Sequence, residues 1–183
     1  MKIPSDARKV FDWVIFDIYH RDQKMYDWSI GTFERVKRVP SIQIIPVVWD
    51  KIVISKQHQP HLKDPYMSLV WWRSDEGELP LDAAKRELLE ETWLQSNDIM
   101  LYKVYNPYDK IDREVYFYIA RNCEKVAEQA LDNWEKIELM YVNFEEFISF
   151  VGSSNFWFSS FTVDILTIQK EKKLEEFKNI IFW

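Results

Sequence analysis

Short apolar runs broken by polar punctuation fill the chain, and their period sorts them into strands and helices. Residues 11–19 read as a strand ended by a polar turn at 20–24, and Met25, Tyr26 and residues 31–37 continue the pattern to Pro40. Residues 41–48 and 51–57 predict a hairpin with its turn at Trp49-Asp50. A loop is expected over 59–67, around Pro60 and Pro65, followed by a short strand at 68–72. Pro80 suits the first turn of a helix running to about Trp93. Residues 99–105, 114–120 and 137–142 read as further strands, and 125–131 as a possible short helix. Asn143 is a natural N-cap for a helix over 144–151, and 161–177 reads as one last helix. Mixed strands with helices on two sides predict an α/β/α sandwich.

Composition narrows the function classes. A chain of 183 residues suits one domain, here divided into an N-terminal β extension, 1–40, and a main domain, 41–183. With 47% apolar and 30% charged residues it reads as an ordinary globular protein. It contains no run of 18 apolar residues, so no membrane-spanning helix is expected, and its first residues lack an apolar signal segment. Cys123 is the only cysteine, which fits a reducing cytoplasm and an inert thiol. The net charge of −6 argues against a nucleic-acid polymer as partner but permits a small anionic nucleotide whose phosphates a metal neutralises. His58 and His61 could bind zinc, but no cysteine supports them.

The chemistry concentrates in Arg86-Glu87-Leu88-Leu89-Glu90-Glu91, with Glu78 eight residues before the arginine. On a helix, Glu87 neighbours Glu90 and Glu91, while Ala84 and Leu88 are expected to pin the opposite face to a core. Like charges at this spacing repel unless a cation sits among them, and an all-oxygen cluster suits Mg²⁺ or Mn²⁺. The run resembles the Nudix box, Gly-x5-Glu-x7-Arg-Glu-U-x-Glu-Glu-x-Gly-U, where U is bulky and aliphatic. Glu78, Arg86, Glu87, Leu88, Glu90, Glu91 and Leu94 match in register, and Trp72 and Trp93 replace the two glycines.

A wider likeness, over about residues 8 to 170, is to the ADP-ribose and ADP-sugar pyrophosphatases of that superfamily. It rests on Thr32-Phe-Glu-Arg-Val36, Pro46-Val47, Gln57-His-Gln-Pro60 and Trp134-Glu135-Lys-Ile-Glu138. The resemblance implies a Nudix-type sandwich with a mixed sheet. It also implies metal-dependent hydrolysis of a nucleoside diphosphate sugar, with ADP-ribose giving AMP and ribose 5-phosphate. Glu87, Glu90 and Glu91 are then the expected metal ligands, joined by the backbone carbonyl of Trp71. Arg86 would hold the loop through Glu78. Glu135 is the candidate general base, with Glu138 second. Arg35, Gln57 and Gln59 are candidate substrate contacts, although the family has arginine where this chain has Gln59. Phe33 or Tyr26 could stack on adenine, and homodimerisation through the N-terminal strands is expected. GDP-mannose, UDP-glucose and nucleotide binding without turnover are the competing readings.

Glycine is scarce and tryptophan abundant. Average usage of about 7% predicts roughly 13 glycines, against three glycines and nine tryptophans. Trp13, Trp28, Trp49, Trp72, Trp93 and Trp134 fall where the family pattern or turn chemistry wants glycine, and Trp71 where the family has Gly or Ala. UGA codons meant as glycine but read as tryptophan would produce this pattern.

Overall fold

The computed structural model describes residues 2–58, 62–75, 77–126 and 136–183. The chain opens with β1 (Arg8–Asp12), β2 (Asp17–Lys24) and β3 (Ile30–Lys37). Next come β4 (Ser41–Val48), β5 (Lys51–His58), β6 (Tyr66–Ser68) and β7 (Val70–Arg73), leading to α1 (Pro80–Thr92). Six strands follow, β8 (Leu94–Gln95), β9 (Asp98–Tyr105), β10 (Ile111–Asp112), β11 (Val115–Arg121), β12 (Glu124–Lys125) and β13 (Lys136–Val142). Three helices end the chain, α2 (Phe144–Val151), α3 (Ser159–Lys170) and α4 (Leu174–Phe182).

The main sheet runs β13-β5-β4-β11-β9, with β6 added beside β5 and β7 beside β4. β11 lies parallel to β4 and antiparallel to β9, so the sheet is mixed. Its central strands β4, β5 and β11 are buried on both faces and feed two cores by alternation. Ile42, Ile44, Val53, Val70, Tyr118 and Ala120 point to Ala83, Ala84 and Leu88 of α1. Ile45, Val47, Ile52, Ile54, Phe117 and Ile119 point instead to Phe144, Phe147, Phe161, Ile165, Phe177 and Ile181 of α2, α3 and α4. The result is helix, sheet, helix, as the pattern predicted.

The N-terminal strands form a separate sheet, β1-β2-β3-β10, in which β10 pairs parallel with β3. Here the sequence expectation needs correction. Residues 11–19 are not one strand: the chain turns at 13–16, where the Trp13 N–H donates to the Phe16 carbonyl, and the supposed turn 20–24 is the body of β2. None of the residues of β1, β2 and β3 is fully buried, so no buried face imposes alternation on them. The last helix is also two helices, broken at Lys172, which takes a left-handed φ of 59°. α2 matches expectation, with Asn143 and Glu146 forming a reciprocal capping box. Among the described residues no helix is long and apolar enough to cross a membrane. Cys123 is buried, and burial pushes its thiol up to about 11, which leaves it unreactive.

Candidate active site

α1 starts without a side-chain cap, using Pro80 at its first position. Its buried stripe runs Ala84, Glu87, Leu88, Glu91, which is the i, i+3, i+4, i+7 series. Glu87 and Glu91 are therefore not opposite Ala84 and Leu88, as expected, but beside them: they are 2% and 1% exposed. Glu90, a step round the helix, has a side chain 47% exposed. Two carboxylates enter the protein between α1 and the sheet, and a third stands at the rim.

Arg86 organises the acids. Its Nε donates to Glu78 Oε1 and its Nη2 to Glu78 Oε2, both at 2.9 Å, a two-pronged pair. Its Nη1 donates to Glu87 and, at 3.1 Å, to Glu90 Oε2. The pairing holds Glu78 below the usual carboxylate range and raises the arginine further above its own. The loop before α1 is tied to the same group. The Asp75 N–H donates to Glu78 Oε2 at 3.0 Å, and the Glu78 N–H donates to the Asp75 carbonyl at 3.1 Å. Gly77 makes this turn with φ +80°, and a Cβ there would meet nothing within 4 Å, so conformation alone calls for glycine. Asp75, whose carboxylate lies 3.9 Å from Arg86 Nη2, was not singled out from sequence. The Ser-Asp turn before Gly77 was its only signal.

A metal ion held by these acids would replace or supplement this cation. Among the described residues no three His, Cys, Asp or Glu side chains converge as a metal cage. The donor set nevertheless fits one, because Glu87 and Glu90 already converge on a positive group, the Arg86 Nη1. The chemistry is all-oxygen and anionic, as hard divalent ions require.

The other expected residues are dispersed. Trp71 and Trp72 lie half-buried on β7, opposite Gln43 and Ile42 of β4. Arg35 sits on β3 in the N-terminal sheet and donates to the Asp109 carbonyl at 2.8 Å. Gln57, expected to touch substrate, is instead buried: its Nε2 donates to Ser55 Oγ at 3.2 Å and its Oε1 accepts from the Tyr66 hydroxyl at 2.8 Å. On an interior strand its amide is committed to those partners. Glu138 pairs with Lys56 at 3.4 Å across β13 and β5. His58 ends β5, and Phe33 and Tyr26 are exposed. Gln59, His61, Trp134 and Glu135 lie outside the described residues, as do 127–131 of the expected short helix.

Tryptophan placement follows the backbone. Trp28, Trp49 and Trp93 have φ of 70°, 56° and 60°. Trp28 follows a turn closed from its own N–H to the Met25 carbonyl, where a type I turn with a bulge takes glycine. Trp49 is the first residue of a two-residue hairpin loop, glycine's place in a type II′ turn. Trp93 ends α1 in the left-handed conformation, with its N–H bonded to the Leu89 carbonyl and its buried indole N–H without an acceptor. Trp13 and Trp72 do not share this conformation, and φ is positive at neither.

The NUDIX domain family model matches residues 46–158. Over 170 residues the chain is 24% identical to the ADP-ribose pyrophosphatase of Bacillus subtilis (strain 168), covering 91% of this chain and 92% of that protein. A solved structure titled "Crystal structure of ADP compounds hydrolase" aligns with a TM-score of 0.71 at 18% identity, covering 91% of each chain, and so shares the fold. Together with the box carboxylates gathered on α1 around Arg86, these matches establish that the chain belongs to the Nudix hydrolase family.

Proposed function

We propose that the chain hydrolyses the diphosphate bond of a nucleoside diphosphate sugar, ADP-ribose giving AMP and ribose 5-phosphate. The observation that carries this is the Arg86 Nη1 held between Glu87 and Glu90, a cation site built in register with the Nudix box. The relative described as an ADP-ribose pyrophosphatase directs the choice of substrate. Glu87, Glu90 and Glu91 would hold a divalent ion, Mg²⁺ or Mn²⁺, with the Trp71 carbonyl as a further donor. When bound, the ion neutralises phosphate charge and acidifies water. Arg86 keeps Glu78, and with it the 75–78 turn, in place beneath the acids. Glu135 is the proposed base, with Glu138 second. Arg35 is the proposed phosphate contact from the N-terminal sheet, and Gln59 a further one.

AMP release from ADP-ribose, measured with Mg²⁺ and then with EDTA, tests the reading. Metal-dependent release is expected. A panel holding GDP-mannose and UDP-glucose decides the base and sugar, and preference for either would overturn the ADP-ribose assignment. A second reading, nucleotide binding with weak turnover, has one observation in its favour. Two indoles occupy β7 at the entry to the catalytic loop, where the family uses small residues. Saturable binding of ADP-ribose without metal-dependent release would select it.

We also propose a cytoplasmic homodimer joined through the N-terminal sheet. Val10, Phe11, Trp13, Val14, Ile30 and Phe33 are exposed on its strands and turn. Sedimentation of the full chain as a monomer at micromolar concentration would remove that assembly.

A further inference from the structure

A groove of about 760 Å³ opens between α2, α4 and the β4–β5 turn. It lies far from the Nudix loop. Ser41, at the head of β4, pairs with Arg73 of β7, which leads into that loop, while the groove sits at the tail of the same strand, beside Asp50. The eight residues of β4 hold the two ends about 23 Å apart. The helices differ too: α2 and α4 cover the sheet face opposite α1.

Helical spacing builds one wall. Glu175, Lys178, Asn179 and Phe182 follow one another at i, i+3, i+4 and i+7 on α4 and line the groove, while Phe177 and Ile181 face the core. Phe144, the first residue of α2, is buried beneath, its ring 6.4 Å from that of Phe182 and edge-on to it. Charge is unbalanced here. Among the described lining residues Asp50, Glu145 and Glu175 face a single cation, Lys178. Lys178 pairs with Glu145 at 3.3 Å, and no cation of the described residues lies within ion-pair distance of Asp50 or Glu175.

Lys178 displays how this groove holds a cation. Its ammonium stands 5.3 Å from the centre of the Phe144 ring while it donates to Glu145 Oε1. Ring face and carboxylate thus act together on one alkylammonium group. Phe182 and Glu175, one helix turn further along each way, offer the same two elements, and no lysine or arginine of the described residues stands over the Phe182 ring. A metal ion does not match this lining. Hard divalent ions want converging oxygens rather than ring faces, and among the described residues no three metal-ligating side chains converge. The acids want N–H donors and the rings want methylene groups. A linear chain that alternates the two supplies both.

We propose that this groove binds an aliphatic polyamine, with one ammonium group held by Glu175 and the Phe182 ring and the methylene run laid along the two phenylalanines. Three carboxylates against one lysine leave the charge of a dication to be neutralised. The site stands apart from the hydrolase reading and needs neither metal nor substrate.

Calorimetric titration of the full chain with spermidine, in EDTA at physiological salt, tests it. The screening length is then about 8 Å, which suppresses attraction by the net charge of the protein. Saturable binding at one site is expected. Glu175→Gln should weaken it about tenfold, the worth of a hydrogen bond between charged groups. Phe182→Leu, which keeps an apolar side chain but removes the ring face, should weaken it about threefold. Glu176→Gln deletes the same charge one residue on, where the side chain does not line the groove, and should bind as the wild type does. Mg²⁺ in place of EDTA should leave the affinity unchanged. No saturable binding, or equal loss in Glu175→Gln and Glu176→Gln, would overturn the proposal. So would loss of spermidine binding in Mg²⁺, which would move the polyamine to the Nudix acids. Glu175 and Glu176 are both exposed, so their comparison holds even where Phe182→Leu loosens α4.

Discussion

Replacing Trp49 by glycine is expected to stabilise the protein. Trp49 has φ 56° in the β4–β5 turn and is 91% exposed, so its side chain contributes almost no burial. A side chain in the left-handed region costs roughly 1–2 kcal/mol through its Cβ. Glycine removes that cost but loses more backbone entropy on folding, about 0.5–1 kcal/mol. The net gain is on the order of 0.5–1 kcal/mol, or roughly 1–4 °C in Tm for a chain of this size. Trp49→Ala separates conformation from side-chain loss, because it deletes the indole and keeps the Cβ. Urea denaturation of the three proteins should therefore place Trp49→Gly above both others, with Trp49→Ala close to the wild type. A glycine variant no more stable than the alanine variant would show that strain at residue 49 does not exceed glycine's entropy cost and would refute the reasoning.

Other outcomes follow from the same geometry. Glu90→Gln with Glu91→Gln should lower turnover by about two to three orders of magnitude, the several kcal/mol that a metal supplies, and unchanged turnover would remove both from the ligand set. Arg86 holds Glu78 below its ordinary 4.5, so this pair's stability is complete above that value and is lost as pH falls through the lower folded pKa. Glu78→Gln should therefore flatten the acid loss of stability below about pH 4.5, and identical pH slopes in the two proteins would dismiss the pair. Trp71→Gly with Trp72→Gly should raise kcat/KM for ADP-ribose, while Trp157→Gly, at an exposed site, should not; equal effects would place the indoles outside the substrate path. The gene is expected to carry UGA at codons 28, 49 and 93, and UGG there would make tryptophan the encoded residue.

The main sheet was legible because burial disciplined it. β4, β5 and β11 pack on both faces, and their apolar runs and the flanking turn at Trp49-Asp50 mark their ends. The N-terminal sheet was misread for the opposite reason. β1 is exposed throughout, and nothing in Asp17-Ile-Tyr-His-Arg-Asp-Gln-Lys24 distinguishes a solvated strand from a turn. In the site, helical spacing placed Glu87, Glu90 and Glu91 on α1 but could not tell which were buried. That depends on where Ala84 and Leu88 meet the sheet, a tertiary fact.

The tryptophans settle which property of a residue its position reflects. Tryptophan is the largest apolar side chain, and one placed for packing belongs inside. Among the described residues none lies in either core, while Trp13, Trp28, Trp49, Trp157 and Trp183 are exposed. Trp93 buries an indole N–H with no acceptor, and Trp71 and Trp72 lie half-buried on the strand that leads to the catalytic loop. What Trp28, Trp49 and Trp93 share is backbone demand. Three of the five non-glycine residues with left-handed φ among the described residues are tryptophans. The three glycines and nine tryptophans together make twelve, close to the roughly 13 glycines that average usage predicts. Placement by backbone need, indifference to burial and a matching deficit are the properties of glycine. The fold accommodates most of these side chains at the surface, where Trp13 stacks on Phe11, Lys24 covers Trp28 and Trp157 lies against Tyr66. The catalytic entry at Trp71 and Trp72 has no such freedom, so activity there responds to the encoded residue far more than stability does.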